Sequence, residues 1–162
     1  MKRVCFPVEI LPVAALAAAL TQLLLGLIVV AVVAAACGCV GHWTWLPIAL
    51  IPYAAFLLGV AWTLAALGPF FRDLGPAVVA GSQLLLFLTP VFYPLSAVPA
   101  RWQFLVLLNP VAIAVESFRH AVLNGPEVGL PAAAGLTASG VVMMILGYAA
   151  FMRLKPAMAD VV

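Results

Sequence analysis

Three ionisable side chains lie close together in an otherwise apolar stretch of the chain. Glu116, Arg119 and His120 are spaced i, i+3 and i+4, so on a helix they share one face. They could neutralise one another at a membrane surface, or they could line a polar passage, because ionisable groups at membrane depth usually serve a function. Both interpretations stay open. A catalytic role for Glu116 and His120 as acid and base is disfavoured, because no nucleophile or set of metal ligands accompanies them.

A second group of chemically capable residues is Cys37, Cys39 and His42. Thiols and imidazoles bind metals, but two cysteines one residue apart do not match the usual spacing of zinc ligands. No fourth ligand is evident nearby. We therefore predict a loop with incidental thiols, and no metal or other cofactor.

Aromatic side chains cluster just before and inside the same charged stretch. Phe92, Tyr93 and Trp102 are of the type that anchors a protein at the membrane interface. The alternative is a stacking surface for sugar rings, whose C–H faces pack on aromatic planes. Either role predicts that these side chains lie at a mouth of the molecule.

The sequence contains no loop that could bind a nucleotide. The motif G-x-x-x-x-G-K-[ST] does not occur in it. Transport against a gradient would therefore need energy from a partner or an ion, and we predict that the chain is not itself an enzyme. The net charge of +2 and the absence of a basic patch give no reason to expect nucleic-acid binding.

Composition indicates that lipid surrounds these residues. The chain is 67% hydrophobic and 7% charged, against about 25% charged residues in soluble domains. Charge-free runs extend from Ile10 to Phe71, from Leu74 to Ala100 and from Val128 to Met152. A helix needs about 20 apolar residues to cross the hydrocarbon core. We therefore predict an all-α membrane protein, one transmembrane domain over 1–162, with spans at about 13–36, 46–67, 77–93 and 130–151.

The charged apolar stretch at about 95–125 is different in kind. Asn109 is a plausible N-cap with Pro110 at the first helical position, and Asn124 with Gly125 is a typical helix stop. The two helices would each be too short to cross. We predict a re-entrant helical hairpin before the last span, since irregular backbone at membrane depth must be buried in protein or line a cavity.

Basic residues predict the orientation. Four crossings place five of them on one side of the membrane and only Arg101 and Arg119 on the other. The excess of basic residues marks the cytoplasmic side, which puts both termini in the cytoplasm. The five are Lys2, Arg3, Arg72, Arg153 and Lys155.

The order of short motifs resembles the permeases of ABC-2 type transporters, and within them the branch that exports lipid-linked polysaccharide such as O-antigen and teichoic acid. The matching motifs are KRVCFPVEILP (2–12), FFRDL (70–74), LTPVFYPL (88–95), LNP (108–110), ESFR (116–119) and LKP (154–156). Each motif is weak alone, but their order is specific and covers essentially the whole chain.

This resemblance implies a homodimeric permease of the bacterial cytoplasmic membrane that pairs with an ATP-binding cassette subunit and moves a lipid-linked glycan outward. It implies ATPase coupling through Phe6, Pro7, Glu9, Arg72 and Asp73. It also implies a translocation path or gate formed by Phe92, Tyr93, Trp102, Glu116 and Arg119. The chain lacks the N-terminal third of the family pattern, and Val8 stands where the coupling segment usually has arginine.

Two alternatives are compatible with the same residues. One is an ABC-2 permease for a drug or a simple lipid. The other is a truncated membrane protein that does not transport. An intramembrane enzyme is a more distant alternative, because the sequence shows no nucleophile or ligand set.

Overall fold

The structure is a computed structural model that describes residues 10–38 and 41–158. Its regular elements are all helical: α1 (Ile10–Ala36), α2 (Trp45–Leu67), α3 (Leu74–Leu88), a 3-10 turn (Leu95–Ala97), α4 (Ala100–Leu107), α5 (Pro110–Leu123) and α6 (Leu130–Met158). The predicted all-α membrane fold is confirmed. Within the described ranges, α1, α2 and α6 are each long and apolar enough to cross a membrane, and α4 with α5 would add a fourth crossing if counted as one span.

The most extensive helix interface joins α2 to α6, and it is built on glycines. A methyl group on Gly147 would collide with the backbone of Gly59, and one on Gly140 with the carbonyl of Pro52. Small residues let helix backbones approach closely in membranes, where apolar side chains give little driving force. From the Pro52–Gly140 contact to the Gly59–Gly147 contact, the residue number rises by seven in both helices. Helices α2 and α6 therefore run parallel.

The last turns of helix α1 pack on the start of α2. Ala31 and Ala34 are buried against Trp45 and Leu46, together with the end of α5. The two helices are therefore antiparallel. Most other α1 side chains are exposed, as expected of a helix whose neighbour is lipid.

Helix α3 differs from the predicted span at 77–93. It begins three residues earlier, because Pro76 falls in the first turn, where backbone N–H groups have no helical partner. It ends five residues earlier, because Thr89 is extended ahead of Pro90, and a residue before proline disfavours the helical region. Its 15 residues span about 22 Å, less than the roughly 30 Å of a hydrocarbon core.

The predicted break at Asn109–Pro110 is confirmed. The Asn109 side chain accepts a hydrogen bond from the Val111 backbone N–H at 3.0 Å, and Pro110 occupies the first helical position. The axes of α4 and α5 differ by 102° across this break. Asn124 ends α5 in the left-handed conformation, with φ of 54°. We call Ala100–Leu123 the bent pair.

Candidate functional site

Charged residues lie at two opposite ends of the molecule. Arg72 and Asp73 lie in the loop between α2 and α3, and Arg153 lines a groove with Thr63 near the same end of α2. At the other end, Gly41 in the α1–α2 loop lies so close to the carbonyls of Ala121 and Val122 that a methyl group would collide with them. The bent pair therefore belongs to the end opposite Arg72.

The predicted polar cluster on α5 exists, and it is buried. Glu116 is 3% exposed and His120 is 6% exposed. Arg119 Nη1 donates to Glu116 Oε1 at 2.7 Å, so the predicted proximity of these two charges is confirmed. The ion pair is neutral as a unit, which lets a charged helix pack inside an apolar protein.

Arg119 also bridges α5 to the segment that follows α3. Its Nη2 donates to the carbonyl of Pro90 at 2.8 Å and approaches the carbonyl of Val91 at 3.5 Å. These carbonyls lie just beyond the end of α3, where no helical N–H is available to them. A guanidinium can serve both because its donors form a rigid planar fork.

A second polar contact fixes the same place. Asn109 Nδ2 donates to Thr89 Oγ1 at 3.2 Å, and Thr89 is only 1% exposed. Each of these two residues precedes a proline at a helix break. We call Thr89–Val91, together with Asn109, Glu116 and Arg119, the hairpin junction.

His120 makes contacts that the sequence did not predict. Its Nδ1 lies 2.8 Å from the carbonyl oxygen of Gly125, and because a carbonyl only accepts, Nδ1 carries the hydrogen. Its ring stacks on His42, with centroids 5.0 Å apart, and meets the edge of Trp45 at 5.7 Å. His42 is far away in the sequence, and no spacing rule links it to His120.

The predicted aromatic residues do not gather around the ion pair. Phe92 is 74% exposed and Trp102 is 49% exposed, and the Arg101 guanidinium lies 5.6 Å from the Trp102 ring. The Tyr93 hydroxyl donates to the Phe87 carbonyl at 3.4 Å. Phe92 and Tyr93 directly follow the carbonyls that Arg119 holds, so the hairpin junction fixes where they emerge.

The remaining predicted site residues divide into two groups. Arg72 and Asp73 are exposed in the loop between α2 and α3, and the Asp73 side chain does not cap α3. Phe6, Pro7 and Glu9 lie outside the described residues. Within the described ranges no three His, Cys, Asp or Glu side chains group closely enough to hold a metal ion, and the position of Cys39 lies outside those ranges.

Comparisons with known proteins support the resemblance to ABC-2 type permeases. The family described as ABC-2 type transporter matches residues 1–123. An O-antigen export system permease protein RfbA of Klebsiella pneumoniae is 30% identical over 120 residues, which are 74% of this chain and 46% of that protein. The permease of the same name from Myxococcus xanthus is 31% identical over 157 residues, 93% of this chain and 58% of that protein. The chain thus spans about half the length of these relatives.

Proposed function

Because the chain belongs to the ABC-2 type transporter family, we propose that it is the membrane-spanning permease subunit of an exporter that moves lipid-linked polysaccharide across the bacterial cytoplasmic membrane. The observation that carries this proposal is its similarity to O-antigen export permeases over 74–93% of its length. ATP hydrolysis is assigned to a separate ATP-binding cassette subunit, which agrees with the lack of a phosphate-binding motif in these 162 residues.

The proposed ATPase contact is the end of the molecule that carries Arg72 and Asp73. Both side chains are exposed there, so they can meet a partner without rearrangement of the helices. Phe6, Pro7 and Glu9 complete this proposed contact on the basis of family resemblance. Helix α3 starts directly after Asp73 and ends at the hairpin junction, which offers a route by which movement at the ATPase would reach the other end.

The proposed gate is the bent pair together with the hairpin junction. Arg119, paired with Glu116 on α5, holds α5 to the segment that follows α3. Phe92 and Trp102, whose rings are exposed, and the half-buried Tyr93 would meet the glycan as it leaves and offer aromatic faces on which sugar rings can stack. In this proposal the gate opens when the contacts of Arg119 with the Pro90 and Val91 carbonyls change.

The proposed orientation places the termini and the loop between α2 and α3 in the cytoplasm. Arg72 and Arg153 share that end, whereas Arg101 and Arg119 belong to the opposite end. Basic residues concentrate on the cytoplasmic side of membrane proteins. A homodimer is proposed on the basis of family resemblance alone.

Coexpression with the ATPase subunit of an O-antigen exporter tests the proposal. We expect the ATPase to copurify with the wild-type chain, and its recovery to fall about tenfold, equivalent to about 1.4 kcal/mol, in the double variant Arg72→Ala, Asp73→Ala. Arg101→Ala, at the opposite end, is the matched control and should leave recovery unchanged. Equal recovery of ATPase with all three chains would contradict the coupling assignment.

Surface O-antigen on cells that lack their own permease tests the transport step separately. We expect the chain and its ATPase to restore surface labelling, and the intracellular lipid-linked glycan to fall. ATPase recovery without any change in surface labelling would leave the partner assignment standing and overturn the substrate.

A further inference from the structure

A groove lies between α2 and α6 beside their glycine interface. It measures about 500 Å³ and is lined by Thr63 on α2 and by one side of α6. The Thr63 hydroxyl already donates to the Gly59 carbonyl at 2.8 Å. The lining residues of α6 are Met143, Leu146, Ala149, Ala150 and Arg153. Apart from Arg153, the groove is therefore an apolar surface between two membrane-spanning helices.

Arg153 lies at the end of the groove nearest the loop between α2 and α3. The Gly59–Gly147 contact fixes the register of the two parallel helices. Six residues further along both helices, Arg153 is level with Ala65, and α2 ends two residues later at Leu67. A guanidinium at this level is close to the boundary between hydrocarbon and headgroups, where long basic side chains place their charge.

The charge at this end of the groove favours an anion. The Arg153 side chain is exposed and forms no ion pair or hydrogen bond with another residue in the ranges 10–38 and 41–158. Arg72 and Lys155 add positive charge at the same end, where Asp73 is the one carboxylate of the described ranges. A guanidinium binds phosphate oxygens through two parallel hydrogen bonds, and basic pockets between transmembrane helices bind the headgroups of anionic lipids.

The width of the groove favours a hydrocarbon chain over a further helix. Ten residues separate Met143 from Arg153, which is about 15 Å along a helix axis. A volume of about 500 Å³ over that length gives a mean width of about 6 Å. A helix with its side chains is about 10–12 Å across, so it would lie over the groove without filling it, whereas a lipid tail can enter.

We propose that this groove binds an anionic phospholipid of the leaflet at the Arg72 end of the molecule. The headgroup phosphate accepts hydrogen bonds from Arg153, and an acyl chain lies against Met143, Leu146 and the two alanines. The bound lipid contacts both helices and so stabilises their pairing. This inference goes beyond the proposed transport function and does not depend on it, because the lipid binds the chain without ATPase or glycan.

Thermal unfolding of the purified full chain in a neutral detergent tests the proposal. Phosphatidylglycerol, which is anionic, and phosphatidylcholine, which is zwitterionic, are each titrated into the micelles. We expect phosphatidylglycerol to raise the Tm by several degrees and phosphatidylcholine to raise it much less. Arg153→Gln should increase about tenfold the phosphatidylglycerol concentration that gives half of this rise, because hydrogen bonds to charged groups contribute more than those between neutral groups.

Ala150→Leu tests the groove without changing any charge. Its larger side chain occupies the space of the acyl chain, and we expect it to weaken the response to phosphatidylglycerol to a similar extent. Each rise is measured from the Tm of the same variant without lipid, so that a change in basal stability does not obscure it. Arg101→Gln is the matched control, because it removes an exposed guanidinium at the opposite end of the molecule.

The proposal is supported if Arg153→Gln and Ala150→Leu both weaken the response and Arg101→Gln does not. It is overturned if phosphatidylcholine stabilises the wild-type chain as well as phosphatidylglycerol does. It is also overturned if Arg101→Gln weakens the response as much as Arg153→Gln, which indicates nonspecific attraction. A response of Ala150→Leu equal to that of wild type overturns it as well, because the lipid then does not lie in the groove.

Discussion

Arg119 performs two tasks that a lysine could not combine. Its guanidinium neutralises the buried carboxylate of Glu116 and also caps the Pro90 carbonyl freed where α3 ends. A lysine ammonium carries its three donors on one nitrogen at the end of a flexible stem, without the planar fork whose separate nitrogens reach both acceptors. The hairpin junction therefore depends on arginine specifically, and not only on a positive charge.

Removing Arg119 should lower the stability of the protein more when Glu116 is still charged. Breaking a buried ion pair at one partner typically costs about 3–5 kcal/mol, because the other charge stays buried without compensation. We expect Arg119→Met to lower the Tm strongly in the wild-type background and much less in the background of Glu116→Gln. A double-mutant cycle on thermal unfolding in detergent measures this coupling. Additive effects of the two substitutions would contradict the account of the ion pair.

Removing the hydrogen bond between Thr89 and Asn109 should lower the stability of the protein less than removing Arg119 does, and the chain offers a matched control. Thr89→Val keeps the shape of the side chain but removes the acceptor of the Asn109 amide, so the half-buried Asn109 loses one hydrogen bond. We expect a loss of stability of about 0.5–1.5 kcal/mol, the net contribution of an ordinary hydrogen bond. Thr137→Val is the matched control, because the exposed Thr137 hydroxyl only bonds the Ala133 carbonyl of its own helix. Equal Tm values for both variants would show that the junction contact contributes nothing.

At the scale of helices, glycines determine how closely α2 and α6 approach. Gly147 meets the backbone of Gly59, whereas Gly26 on α1 has nothing within 4 Å of the position where a Cβ would stand. A change from glycine to alanine should therefore lower the free energy of unfolding at Gly147 and raise it at Gly26. Gly147→Ala forces two backbones apart, and we expect a loss of about 1–3 kcal/mol. Gly26→Ala should gain up to about 1 kcal/mol, because alanine is the better helix former.

Thermal unfolding of these two glycine variants side by side is the measurement. A lower Tm for Gly147→Ala and an unchanged or higher Tm for Gly26→Ala is the expected pattern. A loss of similar size in both would indicate that helix packing is not what distinguishes the two glycines.

The sequence predicts the helices better than their contacts. Charge-free runs fix the number of apolar segments because a charge in lipid is costly, and the capping residues Asn109 and Asn124 fix the break and the end of α5. The predicted start of α3 is wrong because a Gly-Pro pair can begin a helix as well as end one, and its predicted end is wrong because Thr89 is extended ahead of Pro90. The contact between His42 and His120 could not be predicted, because it depends on how the α1–α2 loop packs on α5.

At the scale of the whole molecule, the two ends differ in charge, and this predicts a topology that labelling can test. Cys37 is exposed in the loop next to the bent pair. In a background in which Cys5 and Cys39 are serine, we expect a membrane-impermeant maleimide to label Cys37 on intact spheroplasts.

The opposite end supplies the control for this labelling. A cysteine placed by Asp73→Cys in a chain without the other thiols should react only after the membrane is permeabilised. The reverse pattern would overturn the proposed orientation while leaving the fold unaffected.

The parallel pairing of α2 and α6 also constrains the order in which the molecule assembles. The most extensive interface of the described chain joins its second helix to its last, so it cannot form until synthesis of the described part is nearly finished. Until then α1 and α2 must persist in lipid mainly on their own hydropathy, as separately stable helices do before they associate. The membrane topology of α1 and α2 is therefore decided before α6 packs on α2. If the ribosome stalled ahead of Leu130, these helices would be inserted, but the surface of α2 around Gly59 would still face lipid.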